Sequence, residues 1–141
     1  MKVLTIEQMN RLKELGVDVS KASMAIYDIY AGENKVYDII ALNGAFHEDQ
    51  EYDRFGYGIH SAVAFCKKPV FTLHDIIELL PKEIDGAYLS LELNYCSIEY
   101  YYIDYEERIS WKSIDFNIEK IIDACYEMLL CVIENGYLKT K

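Results

Sequence analysis

Apolar side chains recur at helical spacing near the start of the chain. Over residues 5–15 they fall every three or four positions, as one buried helix face requires: Ile6, Met9, Leu12 and Leu15. Thr5 and Gln8 have the spacing of a capping box before this stripe, and Gly16 suits the position after a helix end. The pattern predicts a first helix over residues 5–15.

Two later segments have the same spacing. Thr72 precedes the second predicted helix as a candidate N-cap, and Pro81 ends that helix after about two turns. The third predicted helix runs over residues 116–135 and ends before Gly136. Its apolar positions extend beyond one face, which predicts a long C-terminal helix that is buried on most sides.

Segments rich in β-branched and aromatic residues lie between these helices. Two of them, residues 24–30 and 36–41, flank a short polar segment and predict a hairpin. Residues 58–65 are a third candidate strand. Apolar and polar residues alternate cleanly over residues 87–95, as in a strand with one buried face. Two further strands are predicted on either side of a turn at residues 104–108: residues 97–103 and 109–112.

The apolar pattern stops over residues 43–57, which we expect to be a solvated loop. His47 stands there beside four acids, Glu48, Asp49, Glu51 and Asp53. Carboxylate oxygens suit calcium or magnesium, but the central Gly and distal Glu of a calcium loop are missing. We expect neither a metal site nor any other cofactor.

The order of the elements predicts the fold class. Strands come in hairpins rather than alternating with helices, which is typical of an α+β fold. We therefore expect a single domain with a mostly antiparallel sheet of about five strands. The N-terminal, short central and long C-terminal helices should pack on one face of that sheet. The length of 141 residues also favours one domain, residues 1–141.

The net charge of the chain limits the classes of partner that we expect. The chain has 24 acids and 14 bases, a net charge of -10. Such a chain does not bind nucleic acid by neutralising phosphates, so we expect no direct nucleic-acid binding. Most of the negative charge lies in residues 71–141, where fourteen acids stand against six bases. This half could be a solvated surface, a surface for a basic partner, or an imitation of a phosphate backbone.

Motifs for catalysis, redox chemistry and membranes are absent from the sequence. The four cysteines contain no Cys-x-x-Cys pair, and His60-Ser61 is suggestive only by adjacency. The most apolar region, residues 121–133, is too short to span a bilayer and contains two acids. The N-terminal residues lack a signal-peptide core. We expect a cytoplasmic protein that does not associate with membranes.

Tyrosine is the unusual feature of the composition, with 13 among 141 residues. Five cluster in the predicted hairpin and are the candidate partner-binding residues: Tyr95, Tyr100, Tyr101, Tyr102 and Tyr105. Strand alternation places Tyr100 and Tyr102 on one face and Tyr101 on the other. Tyrosine is common at interfaces because it combines area with a polar tip, although tyrosines also fill ordinary half-buried sheets.

Three segments also carry a resemblance. LTIEQMNRLKELGVDVSKASM at 4–24, FTLHDIIELLPKEI at 71–84 and ACYEMLLCVIENGYL at 124–138 resemble a group of small uncharacterised proteins of intestinal anaerobic bacteria, Bacteroides-like, some carried on mobile elements. That group has no known activity, so the resemblance implies no site residues. It implies a cytoplasmic bacterial accessory protein.

These observations leave three hypotheses for function. The leading one is a non-enzymatic protein-interaction module, which uses a tyrosine-rich acidic sheet surface to bind a protein partner or to form a homo-oligomer. The second is an acidic inhibitor that mimics DNA and acts on a nucleic-acid enzyme, which requires acids spaced like phosphates. The third is a small enzyme with a non-obvious site, which requires a concave pocket with convergent polar groups.

Overall fold

A computed structural model describes residues 2–31, 34–42, 46–48, 51–57 and 60–138. The chain divides into two compact units. One is Val3–Thr72, and the other combines Met1–Lys2 with Leu73–Lys141. The single domain expected from chain length stays a prediction.

The described residues of the unit Val3–Thr72 form one α-helix and a four-stranded antiparallel sheet. The helix is α1 (Ile6–Glu14), and the strands are β1 (Met24–Ala31), β2 (Asn34–Ala41), β3 (Glu51–Tyr57) and β4 (His60–Val70). The sheet order is β2-β1-β4-β3, so β1 and β4 are the central strands. A short 3-10 helix, Val19–Lys21, connects α1 to β1.

The first helix begins where its capping box predicts. The Thr5 hydroxyl accepts a hydrogen bond from the Gln8 backbone N–H at 3.1 Å, and the Gln8 side-chain oxygen accepts one from the Thr5 N–H at 2.9 Å. Two N–H groups that the helix leaves unpaired are thereby satisfied. The helix buries Met9 and Leu12, and Gly16 follows its end with a positive φ of 90°.

In the second unit, the described residues form the other four strands and two α-helices. Its elements are α2 (Leu73–Leu79), β5 (Glu83–Ile84), β6 (Ala87–Glu92), β7 (Ser97–Asp104), β8 (Glu107–Asp115) and α3 (Ile121–Glu134). The strands form a meander in the order β5-β6-β7-β8, and every pair is antiparallel. A 3-10 turn at Ile118–Lys120 leads into α3.

Helix α3 is the core element of this unit. Half of its fourteen residues are buried, which confirms the prediction of a heavily buried C-terminal helix. It packs against α2, β7 and β8. Beneath the helices, β7 contributes Ile98 and Tyr100, both fully buried. No helix in the described part of the chain is long and apolar enough to cross a membrane.

The α+β class and the antiparallel pairing are confirmed, but the strands are arranged differently from the prediction. They form two sheets of four strands rather than one sheet of about five. Residues 51–57, expected in a loop, form β3 along the edge of the first sheet. An edge strand is held by backbone hydrogen bonds and tolerates charged residues, so its sequence need not alternate. His47 and Glu48 are exposed outside the strands, and Asp49 lies outside the described residues.

Candidate functional site

The five candidate tyrosines do not form one surface. Tyr95 precedes β7 in the turn after β6, whereas Tyr105 follows β7 in the turn before β8. A strand of this length separates its two ends by about 25 Å. Both side chains are open to solvent, Tyr95 at 78% and Tyr105 at 95% exposure. A single partner patch would have to include one end or the other.

Tyr100 belongs to the core. Its side chain has no exposure, its hydroxyl donates a hydrogen bond to the Pro81 carbonyl at 2.7 Å, and its ring meets the edge of Trp111 at 5.9 Å between centroids. Burial raises the pKa of this phenol far above its usual range. A partner cannot reach the side chain, which corrects the assignment of Tyr100 to a binding surface. Tyr102, two residues on, is 40% exposed beyond the buried part of the strand.

Tyr101 lies on the opposite face of the sheet, as alternation predicts. The Arg108 guanidinium carbon is 3.9 Å from the centre of its ring, and the Tyr88 ring lies beside it at 6.5 Å. A cation over an aromatic face is attracted by the ring's negative charge density. Tyr101 therefore supports an arginine rather than filling the core.

Two carboxylates hold Arg108 in this position. Its Nη2 donates to Glu92 Oε1 at 2.9 Å and also to Glu99 Oε1. The second oxygen of Glu99 accepts from the Ser110 hydroxyl at 2.5 Å. The hydrogen bond with Glu99, supported by Glu92, raises the pKa of Arg108. Glu99 is buried yet has donors at both oxygens, the usual condition for a buried charge.

A β-bulge brings Arg108 to this face. The register of β7 and β8 shifts between Tyr100 and Tyr101, so Trp111 has no partner opposite it. With the shift, Arg108 pairs with Ile103, on the face that also bears Tyr101. Without it, Arg108 would stand opposite Asp104 and point to the other face. The bulge is therefore what joins Arg108 to Glu99 and Tyr101.

Three exposed side chains, Tyr88, Ile103 and Tyr105, lie near this arrangement at the β7–β8 end of the sheet. With Tyr101, which is half-buried, and Arg108 they form what we call the hairpin surface. Tyr88 is 54% and Ile103 61% exposed, so both side chains are accessible to a partner. Three exposed acids border the turn: Asp104, Glu106 and Glu107.

The sequence leading to the β7–β8 turn is strongly acidic. Residues 83–107 contain seven acids and no lysine or arginine. Arg108, the next residue, is engaged by two of those acids. The hairpin surface therefore combines exposed aromatic and apolar side chains with the acids of the turn.

Other parts of the structure offer less chemistry. A wide-open pocket of about 440 Å³ is lined by consecutive residues of the β6–β7 turn, Leu91 to Tyr95, rather than by polar groups that converge from several elements. Among the described residues, no three His, Cys, Asp or Glu side chains lie close enough to share a metal ion. The side chains of His60 and Ser61 lie outside the described part. The pair His74–Glu78, 3.8 Å apart, is an exposed contact between successive helix turns.

Sequence reasoning identified the tyrosines of the hairpin surface only in part. Tyr101 and Tyr105 were candidates, but Tyr88, Ile103 and Arg108 were not. One signal was available, because Arg108 is the only basic residue between Lys82 and Lys112. A lone cation in a long acidic stretch is a natural partner for the acids near it.

Comparison of the chain with protein-family models, with curated proteins and with solved structures finds no match. The resemblance to proteins of intestinal anaerobes therefore stays a prediction.

Proposed function

We propose that this protein is a non-enzymatic protein-interaction module that binds a basic segment of another protein through the hairpin surface. The observation that carries this proposal is the exposure of Tyr88, Ile103 and Tyr105 at one end of a sheet whose surrounding residues are acidic. Large exposed aromatic and apolar groups at one place are typical of interaction sites.

The residue types of the hairpin surface support binding to a protein. Tyrosine and arginine dominate the energetically important positions of interfaces. Arg108 and Tyr101 are already held in place by Glu92, Glu99 and the ring contact. Side chains that are ordered before binding lose less conformational entropy on association, so more of the contact energy contributes to affinity.

The charge of the hairpin surface favours a basic partner over a second copy of this chain. In a two-fold dimer the same patch meets itself, so the acids Asp104, Glu106 and Glu107 of both copies would lie in one interface. Like charges in contact across an interface cost affinity, whereas a lysine- or arginine-rich segment would be attracted to them. A homo-oligomer through this surface is therefore the weaker alternative.

The cytoplasm is the compartment we propose for this interaction. Three described cysteines, Cys96, Cys125 and Cys131, are free thiols. Free thiols suit a reducing compartment, whereas secreted proteins of this size often carry disulfides.

A titration followed by residue-resolved NMR tests the proposal. The probe is a peptide rich in lysine and arginine, and a glutamate-rich peptide of equal length is the control. We expect the basic peptide to shift the amide signals of residues 101–108 and of Tyr88, with smaller shifts at higher salt. Shifts spread evenly over all acidic surfaces, or no shifts at all, would count against the hairpin surface.

A matched pair of charge reversals sharpens this test. Glu107→Lys changes an exposed acid beside the hairpin surface, and Glu127→Lys makes the same change at an exposed position of α3. The first also places a lysine opposite Asp104, a favourable cross-strand pair, so it should fold normally. We expect only Glu107→Lys to weaken binding substantially. Equal weakening by both variants would indicate that net charge alone drives association.

A further inference from the structure

We infer that the β7–β8 turn is a receptor for an arginine side chain of the partner, which stacks on the ring of Tyr105 between the neighbouring carboxylates. This inference deepens the proposed function and rests on it. It predicts more than binding of positive charge, because a guanidinium stacks on an aromatic ring in a way that an ammonium group does not.

The sheet already contains one such arrangement. Arg108 lies over the ring of Tyr101 at 3.9 Å while Glu92 and Glu99 accept its hydrogen bonds. The combination of one tyrosine ring and flanking carboxylates therefore holds a guanidinium in this very hairpin. Tyr105 also has carboxylates close by, here from its own turn, with Asp104 before it and Glu106 and Glu107 after it in the sequence. Unlike Tyr101, it is 95% exposed, so its ring faces are open to a partner.

The backbone of the turn is unusual for the residues that it contains. Tyr105 and Glu106 connect the paired residues Asp104 and Glu107 with φ values of 47° and 68°. Two-residue hairpin turns with positive φ at both central residues favour Asn-Gly or Asp-Gly, because other residues are strained at positive φ. Strain of this kind that persists in an exposed turn points to a function for the residues that carry it.

A second turn of the same sheet provides an internal comparison. The β5–β6 connection is also a two-residue turn, between Ile84 and Ala87, and it uses Asp85-Gly86 with φ values of 47° and 86°. Asp85 there accepts a hydrogen bond from the Tyr137 side chain, an interaction that raises the pKa of Tyr137. The β5–β6 turn thus has the residues that its geometry favours. The β7–β8 turn instead presents a tyrosine to solvent.

The test transfers the favoured residues to the β7–β8 turn. The double variant Tyr105→Asp with Glu106→Gly reproduces the Asp-Gly pair and leaves the net charge of the chain unchanged. Because it relieves the strain at residue 106 and places a more tolerant residue at 105, we expect Tm to rise by about 3–6 °C. The variant removes the ring and moves one carboxylate from residue 106 to residue 105. With the net charge kept and the stability raised, a lost preference for arginine would come neither from unfolding nor from net charge.

Binding is measured with two probe peptides that differ only in having arginine or lysine at every basic position. We expect the wild type to bind the arginine peptide at least about threefold more tightly than the lysine peptide. The double variant should lose this preference, while Tyr105→Phe should keep it. Tyr95→Ser, which removes the exposed tyrosine at the other end of β7, is the matched control and should leave the preference unchanged.

Each remaining outcome contradicts one of the claims made above. Equal affinity of the wild type for both peptides, with signals still shifting at residues 101–108, would overturn the arginine receptor and leave the basic-partner proposal standing. An arginine preference that survives the double variant would do the same. Failure of both peptides to bind at the hairpin surface would remove the proposed function itself. A double variant less stable than the wild type would refute the argument from backbone strain.

Discussion

Tyr100 and Tyr101 are adjacent in β7 but have opposite environments. Tyr100 is fully buried and donates a hydrogen bond to the Pro81 carbonyl, while the ring of Tyr101 contacts the Arg108 guanidinium on the other face. Alternation along a strand explains this contrast, because successive side chains point to opposite faces. Tyrosine content alone therefore does not define a surface; the position of each ring relative to α2 and α3 does.

At the residue scale, the buried thiol of Cys125 leads to a prediction about how stability changes at alkaline pH. Burial in α3 raises the pKa of this thiol from 9.0 to about 11. Between these values the unfolded chain has already released the proton that the folded chain retains, so the free energy of unfolding falls as pH rises. Its contribution is fully present below pH 9 and is lost as pH approaches about 11.

Urea denaturation of the wild type and of Cys125→Ala over this pH range checks the prediction. Other alkaline groups, including the buried Tyr100 phenol, titrate in both proteins, so the difference between the two curves isolates Cys125. We expect the wild type to lose more stability than the variant between pH 9 and about 11. Parallel curves would show that Cys125 titrates alike in the folded and unfolded chains.

At the element scale, three strands are joined by one ionic arrangement. Glu92 comes from β6, Glu99 from β7, and Arg108 from β8. A buried carboxylate that loses its cation keeps the cost of desolvation without the attraction that offset it. The interaction therefore depends on all three strands being in register, including the bulge at Trp111.

We predict that Arg108→Met destabilises the protein more than the same change at Arg11. Arg108 satisfies the buried Glu99, whereas Arg11 makes a 3.7 Å contact with Glu14 on the exposed side of α1. Exposed pairs of this kind contribute little to stability. The midpoints of urea unfolding at neutral pH give the comparison. The double variant Arg108→Met with Glu99→Gln should recover part of the loss, and equal midpoints for the two single variants would contradict a role for the network.

The sequence predicted helices better than strands, for physical reasons. The start of α1 depends on Thr5 and Gln8, which are three residues apart and interact locally. The edge strand β3 depends instead on hydrogen bonds to β4, which no local pattern reports. Similarly, the β8 bulge that orients Arg108 arises from pairing between strands. The exposure of Tyr105 and the burial of Tyr100 depend on how the second unit packs, which the sequence pattern does not report.

At the scale of the whole molecule, the chain consists of two compact units, each with a four-stranded antiparallel sheet. Each sheet follows a helix in the chain, but the topologies of the two sheets differ. The first sheet places β1 beside β4, while the second is a simple meander. The two are therefore not copies of one repeated structure.

Chain length makes a prediction about the cooperativity of these two units. A core of about 70 residues rarely supplies more than a few kcal/mol without a metal or disulfide. We therefore expect the chain to unfold as one domain, in a single thermal transition whose calorimetric enthalpy equals its van't Hoff enthalpy. Scanning calorimetry measures both quantities. Near-UV circular dichroism of Trp111, the only tryptophan, reports the second unit alone and should melt at the calorimetric midpoint. Two resolved transitions, or a Trp111 signal that melts apart from the main heat absorption, would instead show that the units are separate domains.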